Sequence, residues 1–386
     1  MDRPIKYLTK KGEIRYRVSY YYKNSYGILK RSSKGGFLTS KAAKIFARTK
    51  EEELENNLYR IPEKLTLGNF LNMWLDVIKL HVKPTTYNFY IGACKHFKDL
   101  YDLPLINLTP KILESFYNDK LIHGNLAFDN KPLSPTTICH INRVLGIALR
   151  YAMKNDLLMR NVASLVRLPA KKAYEYQWYT MEDISLLDKL ITGTYIEWPV
   201  RLAFRLGLRR GEVSALQWQD IDFENRICSV NKNLVYISGK SYLSTPKTKY
   251  GMRKIPLSVN LANALRRLKL KQAEEMSESG LTQTDETNVC LTPFFDPYNP
   301  DYLTRAFRQF LKTTGKKYGL KNIRFHDLRH SFASIAIYEC NIPPELVSKM
   351  LGHATSSFTV DIYGHASSNV QSLAAEKFDS QFNSLK

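Results

Sequence analysis

The chain has 386 residues, too many for one ordinary core at roughly 100–200 residues per domain, and its apolar (44%) and charged (24%) fractions are those of a globular protein. A net charge of +21 is not ordinary, and it calls for an acidic partner; nucleic acid fits best, because each phosphate neutralised by Lys or Arg releases counterions. No run approaches the roughly 20 apolar residues that span a bilayer, and the opening MDRPIKYLTKKG has no signal-peptide core, so a membrane is the weaker partner.

In chain order, the first fifty residues hold nine Lys and five Arg against Asp2 and Glu13, over half of the net charge. Within them GEIRYRVSYYY alternates Ile14, Tyr16, Val18 and Tyr20 with Arg15, Arg17, Ser19 and Tyr21. That period of two predicts a half-buried strand with a basic, aromatic outer face. Turn signals follow in KNSYGILKRSSKGG, and Thr39 or Ser40 caps a helix expected from residue 41 to about 58. A linker around Ile61-Pro62 then leads into a helical segment, residues 64–169. There LTLGNFLNMWLDVIKL carries helical spacing, and Lys83-Pro84-Thr85-Thr86 ends one helix and starts the next. Ser134-Pro135-Thr136-Thr137 opens another, whose stripe of Ile138, Ile141, Leu145, Ala148, Leu149 and Ala152 belongs to a core.

A second linker, about residues 170–179, precedes Thr180-Met181-Glu182-Asp183, a capped helix start. Beyond it, helical patterns flank RICSVNKNLVYISGKSYLSTPKTKYGMRKIPL, with turn signals at Ser238-Gly239 and Lys249-Tyr250-Gly251. A small antiparallel sheet inside a mostly helical domain is expected. The fold class is therefore α+β, multidomain and mainly helical, with divisions at 1–61, 62–169 and 170–386. Five cysteines, Cys94, Cys139, Cys228, Cys290 and Cys340, are odd in number and far apart with no CxxC pair, which fits reduced thiols in a cytoplasm.

Four places carry possible chemistry. In RLGLRRGEVSALQW a helix breaks at Gly207-Leu208; Arg209 and Arg210 are adjacent, so one can face inward while the other is solvated. In RFHDLRHSFAS, His326 and Arg329 are three apart and share a helix face, with His330 next to it. His326 and His330 have zinc-ligand spacing, but the HExxH glutamate is missing and Arg329 between them repels a divalent cation, so an anion such as phosphate suits the cluster better. PPELVSKMLGH reads as an amphipathic helix, with Leu346, Val347, Met350 and Leu351 apolar, that stops at Gly352 and leaves His353 just past its end; Thr355-Ser356-Ser357 then caps a short helix carrying Tyr363. Finally, Lys247 sits on the turn of the predicted hairpin, with Lys249, Arg253 and Lys254 as alternatives by charge alone.

Phosphoryl transfer uses all of these: positive donors around the equatorial oxygens, an in-line nucleophile and an acid for the leaving oxygen. No GxxxxGK[ST] loop and no carboxylate cluster for paired magnesium ions occurs, so neither ATP nor a metal is expected, and no other cofactor.

GLRRGE, TPKTKYGMRKIPL, HDLRHSFA, LGH and DIYGH, in this order and spacing, resemble the tyrosine recombinases, or phage-type integrases. The resemblance implies that Arg209, His326, Arg329 and His353 hold the scissile phosphate, that Lys247 is the general acid for the leaving 5′ oxygen, and that Tyr363 is the nucleophile of a 3′-phosphotyrosine. Glu212 matches an acidic position supporting the active-site arginine; His330 matches a recurrent position. It further implies an arm-binding domain with a three-stranded sheet (1–61), a core-binding domain (62–169) and a catalytic domain with a C-terminal tail (170–386). The expected partners are double-stranded DNA at core-type and arm-type sites and a homotetramer on that DNA, with an excisionase and a host DNA-bending protein as accessories, in a bacterial host cytoplasm. A type IB topoisomerase, which relaxes supercoils as a monomer, and a non-catalytic DNA-binding regulator are the competing readings.

Overall fold

A computed structural model describes residues 3–9, 12–23, 29–55, 65–124, 126, 131–170, 177–237, 239–245 and 249–352. The chain falls into two compact units, Met1–Ala173 and Tyr174–Lys386. Each is α+β or helical as its sequence periods require.

The first unit begins with an antiparallel sheet in the order β1 (Ile5–Leu8), β2 (Ile14–Lys23), β3 (Leu29–Phe37), followed by α1 (Ser40–Glu55). Thr39 caps α1, its hydroxyl accepting from the Ala42 N–H at 3.1 Å. Val18, Ala43 and Ala47 are buried between sheet and helix, with Tyr16, Phe37 and Phe46 packed against them. The predicted alternation along β2 therefore holds at Tyr16, Val18 and Tyr20, whose ring meets Phe46 edge-on at 5.5 Å. Ile14, expected on the same face, is 47% exposed, because this core is too short to reach the end of the strand.

A separate apolar cluster in this unit gathers the helices α2 (Leu67–Ile78), α3 (Pro84–Lys95), α4 (Pro110–His123) and α5 (Pro135–Lys154). All six residues of the predicted α5 stripe, from Ile138 to Ala152, are buried in it. Thr66, Thr109 and Ser134 cap three of these helices by accepting a backbone N–H, and Pro stands in the first turn of α3, α4 and α5, where its missing donor costs nothing.

The second unit opens with α6 (Met181–Ile191), started by the expected Thr180–Asp183 capping box, then α7 (Glu197–Leu206) and α8 (Arg210–Ala215). Strands β4 (Ile221–Asp222), β5 (Ile227–Val230), β6 (Asn233–Ile237), β7 (Lys240–Ser244) and β8 (Arg253–Pro256) come next, and then α9 (Val259–Glu278), α10 (Pro300–Phe310), α11 (Asp327–Ser334) and α12 (Pro344–Leu351). The sheet pairing corrects one expectation. β6 and β7 do pair as a hairpin, with Ile237 opposite Lys240, but no hairpin forms at Lys249-Tyr250-Gly251: β8 leaves β7 and pairs with β5 in the sheet β4-β5-β8. The physical reason is burial, since Cys228 and Ile255, directly opposite each other in β5 and β8, are both fully enclosed in the core of this unit. Lys247, expected on a hairpin turn, lies outside the described residues. In α12, Leu346 is 50% exposed while Val347 and Leu351 are buried, so the apolar face is narrower than the sequence predicted.

Candidate active site

Helix α7 ends at Gly207 in the left-handed conformation (φ +61°), where an added Cβ would lie 2.5 Å from Leu351 Cδ2 and 2.9 Å from Phe332 Cδ1. Only glycine lets the chain reverse here with α11 and α12 so close. Leu208 is buried, Arg209 is extended, and α8 starts at Arg210.

Glu212, in the first turn of α8, is 3% exposed and binds both flanking arginines. It accepts from the Arg209 backbone N–H (2.9 Å) and from Arg209 Nη1 (2.7 Å), and then from Arg253 Nη1 (3.0 Å) and Nη2 (2.9 Å). Burial raises its pKa, but the hydrogen bonds and charge of Arg253, with the charges of Arg209 and Arg329, outweigh that and bring it to about 2. Arg209 thereby keeps a fixed orientation with its side chain 36% exposed. Its neighbour Arg210 turns the other way, to Asp301 (2.8 Å) and Thr304 (3.1 Å). The adjacent pair is thus divided as expected, and Arg209 is the member held by the buried carboxylate.

Arg329, on α11, is 2% exposed. Its Nη1 donates to Gly207 O (2.7 Å) and its Nη2 to Leu351 O (2.6 Å), so one guanidinium ties the C-terminal end of α7 to that of α12. Cations at these ends also meet the negative pole of each helix dipole. His326 stands at the N-terminal boundary of α11, without a side-chain capping bond, and meets His330 edge-on, ring centroids 5.1 Å apart. Desolvation lowers the pKa of His326, and His330, Arg329 and Arg209 lower it further; His330 is buried and falls to about 4, again chiefly by desolvation. Both imidazoles are neutral at pH 7, and each has one N–H to donate. Behind them Asp327, 1% exposed, accepts from the Arg324 N–H and guanidinium, while Ser331 Oγ donates to Asp327 O (2.8 Å) and accepts from the Tyr179 N–H (2.9 Å).

The structure brings Arg209, His326 and Arg329 into one electrostatic neighbourhood, each of the two arginines acting on His326. Lys247, His353 and Tyr363 lie outside the described residues. Gly352, the last described residue, is left-handed (φ +68°) and closes α12 as its position predicts. Sequence reasoning missed Arg253, which it held only as a charge alternative to Lys247; in fact the side chain is 5% exposed. A signal was present, because period two along β8 puts Arg253 on the face of the fully buried Ile255.

Three family descriptions match in chain order: "Arm DNA-binding domain" over residues 4–54, "Phage integrase, N-terminal SAM-like domain" over residues 66–121, and "Phage integrase family" over residues 179–369. A tyrosine recombinase XerC-like protein of Caldanaerobacter subterraneus is 26% identical over 362 residues, covering 87% of this chain and 89% of the relative. The ICEBs1 integrase of Bacillus subtilis is 28% identical over 336 residues, covering 85% and 86%. Among solved structures, the Tn1549 transposon integrase in complex with a circular intermediate DNA superposes with a TM-score of 0.67 at 20% identity, over 81% of this chain and 99% of that one. A lambda integrase tetramer bound to a Holliday junction superposes at 0.57 with 18% identity, over 95% and 97%. At these identities the two structures speak for the fold.

Proposed function

We propose that this chain, which belongs to the phage integrase family of tyrosine recombinases, cuts and rejoins DNA at specific sites to integrate a phage or mobile element, and with a partner to excise it. The observation that carries this reading is the pair of bonds made by Arg329. The same buried arginine that acts on His326 beside Arg209 also holds the carbonyl of Leu351, two residues before His353 and twelve before Tyr363.

In the proposed reaction the scissile phosphate sits against Arg209, Arg329, His326 and His353. Tyr363 Oη loses its proton to water and forms the bond to phosphorus; the bond to the 5′ oxygen breaks, and Lys247 protonates that oxygen as it leaves. Rate enhancement by enzymes takes roughly 8–23 kcal/mol off a barrier, and one donor to a developing oxyanion supplies about 3–4 kcal/mol, so a cluster of this size is needed. Guanidinium groups supply the positive charge and neutral imidazoles supply directed hydrogen bonds. The 3′-phosphotyrosine keeps the ester's free energy for rejoining, so the reaction requires neither metal ion nor ATP.

Three further parts complete the proposal. Residues 1–61 bind arm-type DNA through the outer face of β1-β2-β3, where Arg15, Arg17, Tyr21 and Arg31 stand and Arg17 lies over the Tyr7 ring at 5.2 Å. Residues 62–169 form the core-binding domain, and residues 170–386 the catalytic domain with its tail. The assembly is a homotetramer on two paired sites, as the tetrameric lambda integrase suggests, aided by an excisionase and a host DNA-bending protein in a bacterial cytoplasm. No described helix is long and apolar enough to cross a membrane.

The test is a nicked duplex carrying the junction sequence of the host element, on which cleavage traps the enzyme. The wild-type chain should accumulate a covalent protein–DNA adduct, and Tyr363→Phe should abolish it while leaving DNA binding intact. An unchanged adduct yield in the variant would sink the assignment.

A further inference from the structure

Arg253 carries no role in the chemistry proposed above, yet its side chain is only 5% exposed and is bonded to the carboxylate beside Arg209. Two of its hydrogen bonds go to Glu212, the carboxylate that orients Arg209. A third, from Nε to Met350 O at 2.6 Å, reaches the last turn of α12, and a fourth, from Nη1 to Gly251 O at 3.2 Å, fixes its own strand. A planar fork with donors on three nitrogens can serve all of these at once, and a lysine ammonium cannot. The surroundings are equally tight. At Gly352 an added Cβ would lie 2.5 Å from Tyr250 O and 3.0 Å from Arg253 Cδ. Thus the segment from Tyr250 to Arg253, which begins three residues after Lys247, is seated on the end of α12, one residue before His353.

We infer that Arg253 is a positioning residue: it locks the end of α12, from which the chain runs on to His353 and Tyr363, to the carboxylate that holds Arg209. The inference rests on the strand-cleavage reading and deepens it. Arg253 touches no reacting atom in this account. It keeps the phosphate-binding arginine and the nucleophile-bearing segment in register, and a misplacement of about 1 Å between reacting groups is enough to cost about 100-fold in rate.

The experiment compares the full-length wild type with Arg253→Lys, Glu212→Gln and the double variant on the nicked junction duplex. It reads single-turnover adduct formation and equilibrium binding to the same duplex. Arg253→Lys keeps a charge beside Glu212 and loses the bridge to Met350, so affinity should stay within a factor of about 2 while the adduct rate drops about 100-fold. Because both substitutions cut one link, the double variant should be no slower than the slower single variant. A wild-type rate in Arg253→Lys overturns the inference. Parallel loss of affinity and rate, or effects that multiply in the double variant, overturns it too, since either marks Arg253 as a general structural residue. A wild-type chain that forms no adduct overturns the cleavage reading and takes this inference with it.

Discussion

Glu212 takes four donors on two oxygens while shut away from solvent, and stripping it of charge would leave Arg253 buried and unpaired. Its pKa in the fold, about 2, lies below the ordinary 4.5, so its pairing contributes stability that is complete above that ordinary value and is lost as pH falls through about 2. Glu212→Gln should therefore lower unfolding free energy by about 3 kcal/mol at neutral pH, and its deficit against wild type should shrink below pH 4.5 in denaturant titrations. His330 acts in the same direction but over a higher pH range. Its pKa falls from 6.5 to about 4 because burial disfavours the imidazolium, so the unfolded chain binds the proton more readily and stability drops as pH falls between those values. His330→Gln should flatten that part of the pH–stability curve, by on the order of 2 kcal/mol at its acid end. At this scale the sequence was legible where a motif fixes both residue and spacing. Arg209, Glu212, His326 and Arg329 were all named from the chain and stand together in the fold. Arg253, Asp327 and Ser331 were not, because what distinguishes them is who buries them, and charge alone did not separate Arg253 from Lys249 and Lys254.

Helix ends, more than helix faces, build the site. Arg329 joins the ends of α7 and α12, Arg253 reaches the same end of α12, and both ends carry a left-handed glycine. Gly207→Ala would combine an unfavourable φ with a clash against Leu351 and Phe332; it should destabilise the second unit by about 2 kcal/mol and slow adduct formation, as thermal melting and the nicked-duplex assay would report. Helices were readable in advance because their signals are local. Pro and Ser/Thr mark their starts, and the α5 stripe fell on the core residue for residue. The sheet of the second unit was only half readable. A hairpin announces itself by its turn, whereas β8 finds β5 across the intervening β6–β7 hairpin, and that choice is made by burial of Cys228 and Ile255.

Across the whole chain the charge of +21 has a graded distribution, with the first fifty residues carrying over half. Binding that releases counterions weakens steeply with salt, in proportion to the phosphates neutralised. Deleting residues 1–61 should lower the salt slope for arm-type DNA and spare weak cleavage of core-site DNA; equal binding to every DNA after truncation would remove the arm assignment. The resemblance stated from five short motifs agrees with family matches along the chain and with the solved folds it superposes on. The central claim, however, concerns one tyrosine out of 24. The most direct measurement is to trap the adduct on the nicked junction duplex, digest it with trypsin and nuclease, and sequence the peptide that carries the 3′ phosphate by mass spectrometry. The account predicts the peptide spanning LGHATSSFTVDIYGH, with the nucleotide on Tyr363; a nucleotide on any other residue would contradict it.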